Sequence, residues 1–288
     1  MNIRPSPIAG SWYPGQADRL TRDLDRYLNQ AETAVPDGKI WGVVVPHAGY
    51  RYSGPVAAHG FNCLRGLQPD LVVVISPLHS AHRAPLLTTA HDAYETPLGL
   101  LPVEKTAITQ LNAALHQSAA CAGTILTPIA HDREHALEIE LPFLQRVLGQ
   151  FRLLPIMMRE QSKKMAQGLG QALADILRGR SALLVASSDL SHFYPQRQAQ
   201  KLDGEVLRRL GAFDPDGVMD AEDEGVGHAC GRGAIAAVLW AARELGANRV
   251  NILCHATSGD VTGGFDSVVG YGTAVIWEND LIYAKKDN

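Results

Sequence analysis

The distribution of apolar residues along the chain predicts strands and helices in alternation. Short runs of Val, Ile and Leu bounded by Pro, Gly and Ser are typical of strands buried on both faces. Leu20, Leu24 and Leu28 recur at four-residue spacing, as in an amphipathic helix. The predicted strands are 41–46, 70–76, 151–157, 182–187, 249–254 and 268–277. The predicted helices are 17–31, 55–64, 103–117, 134–149, 162–178, 196–211 and 231–245.

This alternation predicts an α/β fold with a mixed, largely parallel central sheet and helices on both faces. The first two strands and the helix between them form a predicted βαβ unit, which places His47 and His79 at neighbouring strand ends. Residues 84–103 contain a Thr-Pro-Leu-Gly turn and predict a hairpin laid over the sheet. No internal repeat or low-complexity linker interrupts the pattern, so residues 1–288 are interpreted as one domain.

Four of the apolar runs stop at side chains that can bind metals or move protons. These side chains are His47, His79, the pair Asp189 and His192, and the pair His255 and Asp260. Ligands of open α/β sheets bind beyond the carboxyl ends of the strands. The chain therefore gathers His and Asp residues from distant positions into one predicted cleft.

Two histidines and a third ligand are a common site for a divalent metal that keeps open positions for substrate or oxygen. His47 and His79 supply the two imidazoles in this interpretation. The SSDLSH segment adds Asp189 and His192, three residues apart. Asp189 is either a ligand, the group that orients His192, or a cap for the following helix.

A second cluster lies in the segment HDREHALEIELPFL. His131, His135 and Glu138 share one face if that segment is helical. The spacing is not that of HExxH, so the metalloprotease motif is absent. His135, oriented by Glu138, is predicted to support the ligands from behind.

The remaining motifs and the bulk composition narrow the function classes. The four cysteines lack a CxxC pair, and packing is the favoured interpretation of Cys230 in GHACGRG. Hydrophobic residues make up 46%, charged residues 19%, and the net charge is −4. Since no basic run is interleaved with aromatics and no segment is long and apolar enough for a membrane helix, neither nucleic acid nor membrane is an expected partner. The first residues lack a signal-peptide pattern, so a cytoplasmic location is expected.

Taken in order, several motifs resemble the Memo family over nearly the whole chain. They are AGSWYP, PHAGYRYSG, SPLHS, TPLG, EHALEIELPFL, SSDLSH, CGRG and the late TSGD with VGYG. The resemblance implies a fold related to the class III extradiol dioxygenases, which hold non-heme iron at the end of the sheet. By position, His47 and His79 match the family's two metal-binding histidines, and His192 matches the acid/base histidine of those dioxygenases.

The resemblance also implies that Asp189 and His135 are pocket residues. Animal relatives have a cysteine ligand in the late loop, whereas an ungapped match places Val261 there. The third ligand is then His192, Asp189 or Asp260. The expected cofactor is a divalent metal, Fe(II) first, with Cu or Zn as alternatives. Prokaryotic relatives are often encoded beside radical SAM and AMMECR-like proteins, which makes those proteins expected partners.

Three functions are compatible with these features. The first is a metal-dependent redox, dioxygenase-like protein in which His192 moves protons. The second is a binding module for a peptide or small anion that uses the same cleft without turnover. The third is a metal-assisted hydrolase with Asp189 or His135 as the base.

Overall fold

The structure, a computed structural model, describes residues 1–121 and 123–279. The strands are β1 Ile3–Arg4, β2 Lys39–Val45, β3 Leu71–Pro77, β4 Leu86–Thr89, β5 Ala93–Thr96, β6 Gly99–Pro102, β7 Leu126–Ile129, β8 Arg152–Met158, β9 Ala182–Ser187, β10 His192–Tyr194, β11 Arg249–Thr257 and β12 Val268–Glu278. The helices are α1 Ala17–Gln30, α2 Tyr50–Asn62, α3 Lys105–Gln117, α4 Leu141–Leu148, α5 Lys163–Leu177, α6 Gln196–Gly211, α7 Pro215–Asp223, α8 Arg232–Leu245 and α9 Ser258–Thr262. A 3-10 helix, Glu138–Glu140, precedes α4.

The described residues form a mixed central sheet with the strand order β10-β12-β2-β9-β3-β8-β4-β7, and β11 pairs with β12. Its middle strands β2, β9, β3 and β8 are parallel, whereas β12 runs antiparallel to β2 and β4 antiparallel to β8. A small second sheet has the order β1-β5-β6. The predicted α/β fold with a mixed sheet is therefore confirmed.

Alternating side chains of the middle strands build a core on each face of the sheet. Val43 and Val45 of β2 pack with α1, α2 and α4, whereas Val44 packs on the other face with α3, α5 and α8. The valine runs of β2 and β3 are thus apolar at successive positions because both faces of the sheet are covered. Helices lie on both faces, as the sequence predicts.

The strand order corrects one prediction. β9 lies between β2 and β3, and it is parallel to both. His47 and His79 therefore do not follow neighbouring strands. Pairing of β9 with both strands depends on long-range contacts, which hydrophobic periodicity does not encode.

Residues 84–103 divide between the two sheets. β4 joins the central sheet beside β8, while β5 and β6 form an antiparallel hairpin that pairs with β1. The hairpin prediction is confirmed for β5 and β6 only. Among the described residues, no helix combines the length and apolar character that a membrane crossing requires.

Candidate metal centre

The carboxyl ends of three parallel strands deliver the central residues of the site. His47 follows β2, His79 follows β3, and Asp189 follows β9. The imidazole rings of His47 and His79 lie with their centroids 5.3 Å apart, edge to face. The two histidines thus lie together, as the strand ends predict, even though β9 separates the strands that they follow.

Cys230 is a third candidate ligand beside His47 and His79. Its Sγ atom lies 3.1 Å from Nε2 of His47. One ligand atom each from His47, His79 and Cys230 all lie within 4.8 Å of one another. Two imidazole nitrogens and one sulfur are therefore close enough together to bind a single metal ion.

Burial shifts the pKa values of His47 and Cys230 in ways that set their protonation. Burial and the neighbouring His135 and His79 hold the pKa of His47 well below its usual value, so its imidazole is neutral. Burial also raises the pKa of the Cys230 thiol. Metal binding by this pair requires loss of the thiol proton, whereas the imidazole is already in the form that binds metals.

A second group joins His79 to Glu134 and His135. The carboxylate of Glu134 lies 3.0 Å from Nδ1 of His79 and accepts the backbone N–H of His79 at 2.6 Å. Burial opposes ionisation of Glu134, but the hydrogen bonds from His79 and from the backbone of Ala136 outweigh it and bring the pKa to about 2. The same hydrogen bond raises the pKa of His79. Glu134 thus engages Nδ1 and leaves Nε2 of His79 as the atom for a metal.

Asp189 holds the His47 loop in place. Its Oδ1 atom accepts the backbone N–H of His47 at 2.8 Å and that of Ala48 at 3.3 Å. Burial raises the pKa of Asp189 to about 7, although these backbone N–H groups oppose the shift. Asp189 therefore acts on the backbone of a candidate ligand, and it lies outside both groups of converging ligand atoms.

His192 lies near the cleft but in neither group. Its ring centroid is 5.7 Å from that of His228. Burial, and to a lesser extent His228, lowers the pKa of His192, so its imidazole is neutral near pH 7. Its assignments as a ligand and as the acid/base residue both stay predictions.

The segment around His135 corrects a second prediction. Residues 131–137 are not helical, and the helix begins with the 3-10 turn Glu138–Glu140. Glu138 does not orient His135; it pairs with Arg4 at 2.5 Å and accepts the hydroxyl of Tyr13 at 2.8 Å. Nδ1 of His135 instead lies 3.3 Å from Glu134. The spacing HxxxHxxE therefore does not mark a helix face here, because the segment is not helical and Glu138 pairs with Arg4.

The N-terminal segment supports this region from outside the sheet. Arg4 is 2% exposed and forms ion pairs with Asp132 and Glu138, and it donates to the carbonyl of Glu134. Trp12 packs against His135, with ring centroids 4.1 Å apart and ring planes tilted by 35°. The first residues of the chain are therefore part of the site.

The late loop contributes nothing to the two converging groups. Asp260 caps α9, where its carboxylate accepts the backbone N–H of Thr257 at 2.7 Å. Nε2 of His255 lies 2.8 Å from the buried carboxylate of Asp203. Val261, which the sequence comparison by motif predicted to take the place of a cysteine ligand, is 39% exposed on α9. A sulfur ligand is available from another segment, through Cys230.

Sequence reasoning missed three contributors. Cys230 carried a signal, a cysteine two residues before the start of an apolar helix, but packing was the favoured interpretation. Glu134 lies between His131 and His135 in the sequence, and its role was not predicted. Arg4 was not predicted because its partner Asp132 is 128 residues away. Only the contact of distant segments gives these residues a role.

Comparisons with known proteins agree with the motif resemblance. The family model described as "Memo-like protein" matches residues 4–275. A MEMO1 family protein of Nitrosopumilus maritimus is 34% identical over 279 residues, covering 94% of this chain and 98% of the relative. A MEMO1 family protein of Thermotoga neapolitana is 37% identical over 288 residues, covering 95% and 99%.

Solved structures similar to this chain include that of an uncharacterized protein from Escherichia coli K12, with a TM-score of 0.48 and 14% sequence identity. The similarity covers 81% of this chain and 99% of that chain.

Proposed function

The chain belongs to the Memo family, and we propose that it is a metal-dependent redox protein whose ion is held by His47, His79 and Cys230. The observation that carries this proposal is the convergence of the three donor groups, whose ligand atoms lie within 4.8 Å of one another. The three residues come from three separate segments of the chain. Hydrogen bonds from the backbone of His47 to Asp189 and from that of His79 to Glu134 hold two of these segments in place, which supports a preorganised site.

The donor set fits a transition metal better than a hard cation. Imidazole suits iron, copper and zinc, and thiolate adds a preference for softer ions over Mg²⁺ or Ca²⁺. We favour Fe(II) because of the resemblance to the iron-dependent extradiol dioxygenases, with copper as the next choice and zinc as the third. His192, Asp189 and Asp260 lie outside this set.

When bound, iron or copper would supply one-electron chemistry and open positions for substrate or oxygen, whereas zinc would supply only the open positions. The chain's own residues supply the rest. Neutral His192 accepts a proton from a substrate group and returns it to the product. Asp189 keeps His47 in position through its backbone N–H, and Glu134 keeps His79 oriented through Nδ1.

The first test is elemental analysis of protein purified without oxygen. We expect about one iron or copper per chain in the wild type, since the three ligand atoms are close enough to bind one ion. The double variant His47→Ala/His79→Ala should lose the metal, whereas His116→Ala, an exposed histidine on α3, should keep it. Full metal content in the double variant would overturn the proposal.

A metal that depends on the site then justifies a screen for oxygen consumption. Substrates with adjacent hydroxyl groups are the first to try, because such groups occupy two open positions of an ion. Uptake of oxygen that needs both substrate and metal would establish turnover. Hydrolysis of esters or amides without oxygen would instead favour the metal-assisted hydrolase.

The second candidate function is ligand binding without turnover. Exposed aromatic side chains flank the site: Trp12 is 37% exposed, Tyr52 36% and Phe193 74%. Aromatic surfaces of this kind are typical of recognition sites for peptides. Calorimetric titration of the metal-loaded protein with acidic peptides tests this function, and a peptide that binds without any oxygen uptake in the screen would favour it.

A further inference from the structure

Behind His47 lies a hydrogen-bonded chain that the proposed metal chemistry does not use. Ser187, the last residue of β9, places Oγ 2.9 Å from Nδ1 of His47. The same Oγ lies 2.6 Å from the carbonyl oxygen of Ala136 and 2.6 Å from Oε1 of Glu140. Glu140 ends the 3-10 helix and is 1% exposed.

The protons of this chain can be counted. The hydroxyl of Ser187 has one proton to donate, and the carbonyl oxygen of Ala136 can only accept. The serine proton therefore points at Ala136. Both remaining neighbours of Oγ must then donate to it, so Nδ1 of His47 carries a proton and so does the carboxyl group of Glu140.

If Glu140 were ionised, the contact between Ser187 Oγ and the carbonyl oxygen of Ala136 would have no proton in it. If Ser187 donated to a carboxylate, its oxygen would face the Ala136 carbonyl at 2.6 Å with no hydrogen between them. Buried lone pairs that face one another at this distance repel. Among the described residues, no Lys or Arg pairs with Glu140, whereas neighbouring Glu138 pairs with Arg4. Burial raises the pKa of Glu140 well above its usual value, in agreement with the count.

We propose that Glu140 is a positioning residue that keeps its proton and, through Ser187, holds His47 in the tautomer with hydrogen on Nδ1. That tautomer leaves the lone pair of Nε2 directed at Cys230, which lies 3.1 Å away. The role in metal binding rests on the proposed function, whereas the protonation of Glu140 and the tautomer of His47 do not. A histidine locked in this way is preorganised as a ligand, because no tautomer change is needed on binding.

The first measurement uses the full chain stripped of metal, so it is independent of the metal proposal. Infrared difference spectra between wild type and Glu140→Gln should show a carboxylic-acid C=O band at neutral pH that the variant lacks. Since Asp189 is a second buried carboxyl group, the difference between the two proteins is what isolates Glu140. Glu138→Gln is the matched control and should remove no such band, because Glu138 is paired with Arg4.

The tautomer is read from the nitrogen-15 shifts of the histidine rings, assigned with His47→Gln. We expect hydrogen on Nδ1 of His47 in wild type and in Glu140→Gln, whose amide N–H replaces the carboxyl donor. In Ser187→Ala the hydroxyl partner of Nδ1 is gone, and the fraction of His47 with hydrogen on Nε2 should rise above that of the wild type. Absence of the Glu140 band, or hydrogen on Nε2 in the wild type, would overturn the inference even if metal binds.

Anaerobic titration with Fe(II) adds the functional arm. Ser187→Ala and Glu140→Ala should bind about 10–100-fold more weakly, as is typical when a partner of a metal-binding histidine is removed. Glu140→Gln should bind close to wild type because it still donates. Equal losses in Glu140→Gln and Glu140→Ala would overturn the donor role. If neither the wild type nor any variant binds Fe(II), the iron assignment of the proposed function fails, and the spectroscopic results still decide the protonation of Glu140.

Discussion

Nε2 of His47 lies 3.1 Å from Sγ of Cys230, although the two residues are 183 positions apart in the chain. His47 follows the central strand β2, and Cys230 precedes helix α8. A second imidazole, from His79, faces the same space. This relationship between imidazole and thiol defines the proposed centre and decides which substitutions should matter.

Cys230→Ser should weaken metal binding more than the loss of a supporting residue does, by more than about 100-fold, because the sulfur ligand itself is removed. Anaerobic metal titration measures the change. Cys254→Ser, a half-buried cysteine on β11, is the matched control and should bind as the wild type does. Equal affinity of the two variants would exclude Cys230 as a ligand.

Glu134→Ala should lower metal affinity by about 10–100-fold, since the carboxylate that orients a metal-binding histidine is lost. The hydrogen bonds lost are those to His79 Nδ1 and to three backbone N–H groups, of His79, His135 and Ala136. Glu95→Ala, an exposed glutamate on β5, serves as the control. If both variants bind metal equally well, Glu134 does not orient His79.

Arg4→Met should destabilise the fold by about 3–5 kcal/mol, because two buried carboxylates lose their partner. Chemical denaturation of the metal-free protein measures the free energy of unfolding. Arg146→Met breaks an exposed pair with Asp25 and should cost no more than about 1 kcal/mol. A small effect of Arg4→Met would mean that the N-terminal segment does not support the site loop.

His192→Ala should keep the full metal content and lose turnover, because the residue lies outside the converging ligands and acts on protons. Elemental analysis and oxygen consumption are measured on the same preparation. His228→Ala, which removes the neighbouring ring at 5.7 Å, is the control for packing around His192. Loss of metal in His192→Ala, but not in His228→Ala, would make His192 a ligand, as the sequence predicts.

The local elements were predictable because they depend on nearby residues. The spacing of Leu20, Leu24 and Leu28 predicts α1, and the buried valine runs predict β2, β3 and β9. The strand ends also predicted that His47 and His79 share a cleft. The short elements β7, β10, α7 and α9 were not predicted, since too few residues carry their pattern.

The sequence by itself determined the α/β class, the family and the position of His47 and His79 at strand ends, because apolar runs and strand-end motifs are local. The tertiary structure decided the rest. It inserted β9 between β2 and β3, brought Cys230 to His47, paired Arg4 with Glu138, and placed Glu140 behind Ser187. Each of these depends on segments far apart in the chain, where burial and hydrogen bonding choose the partner and spacing does not.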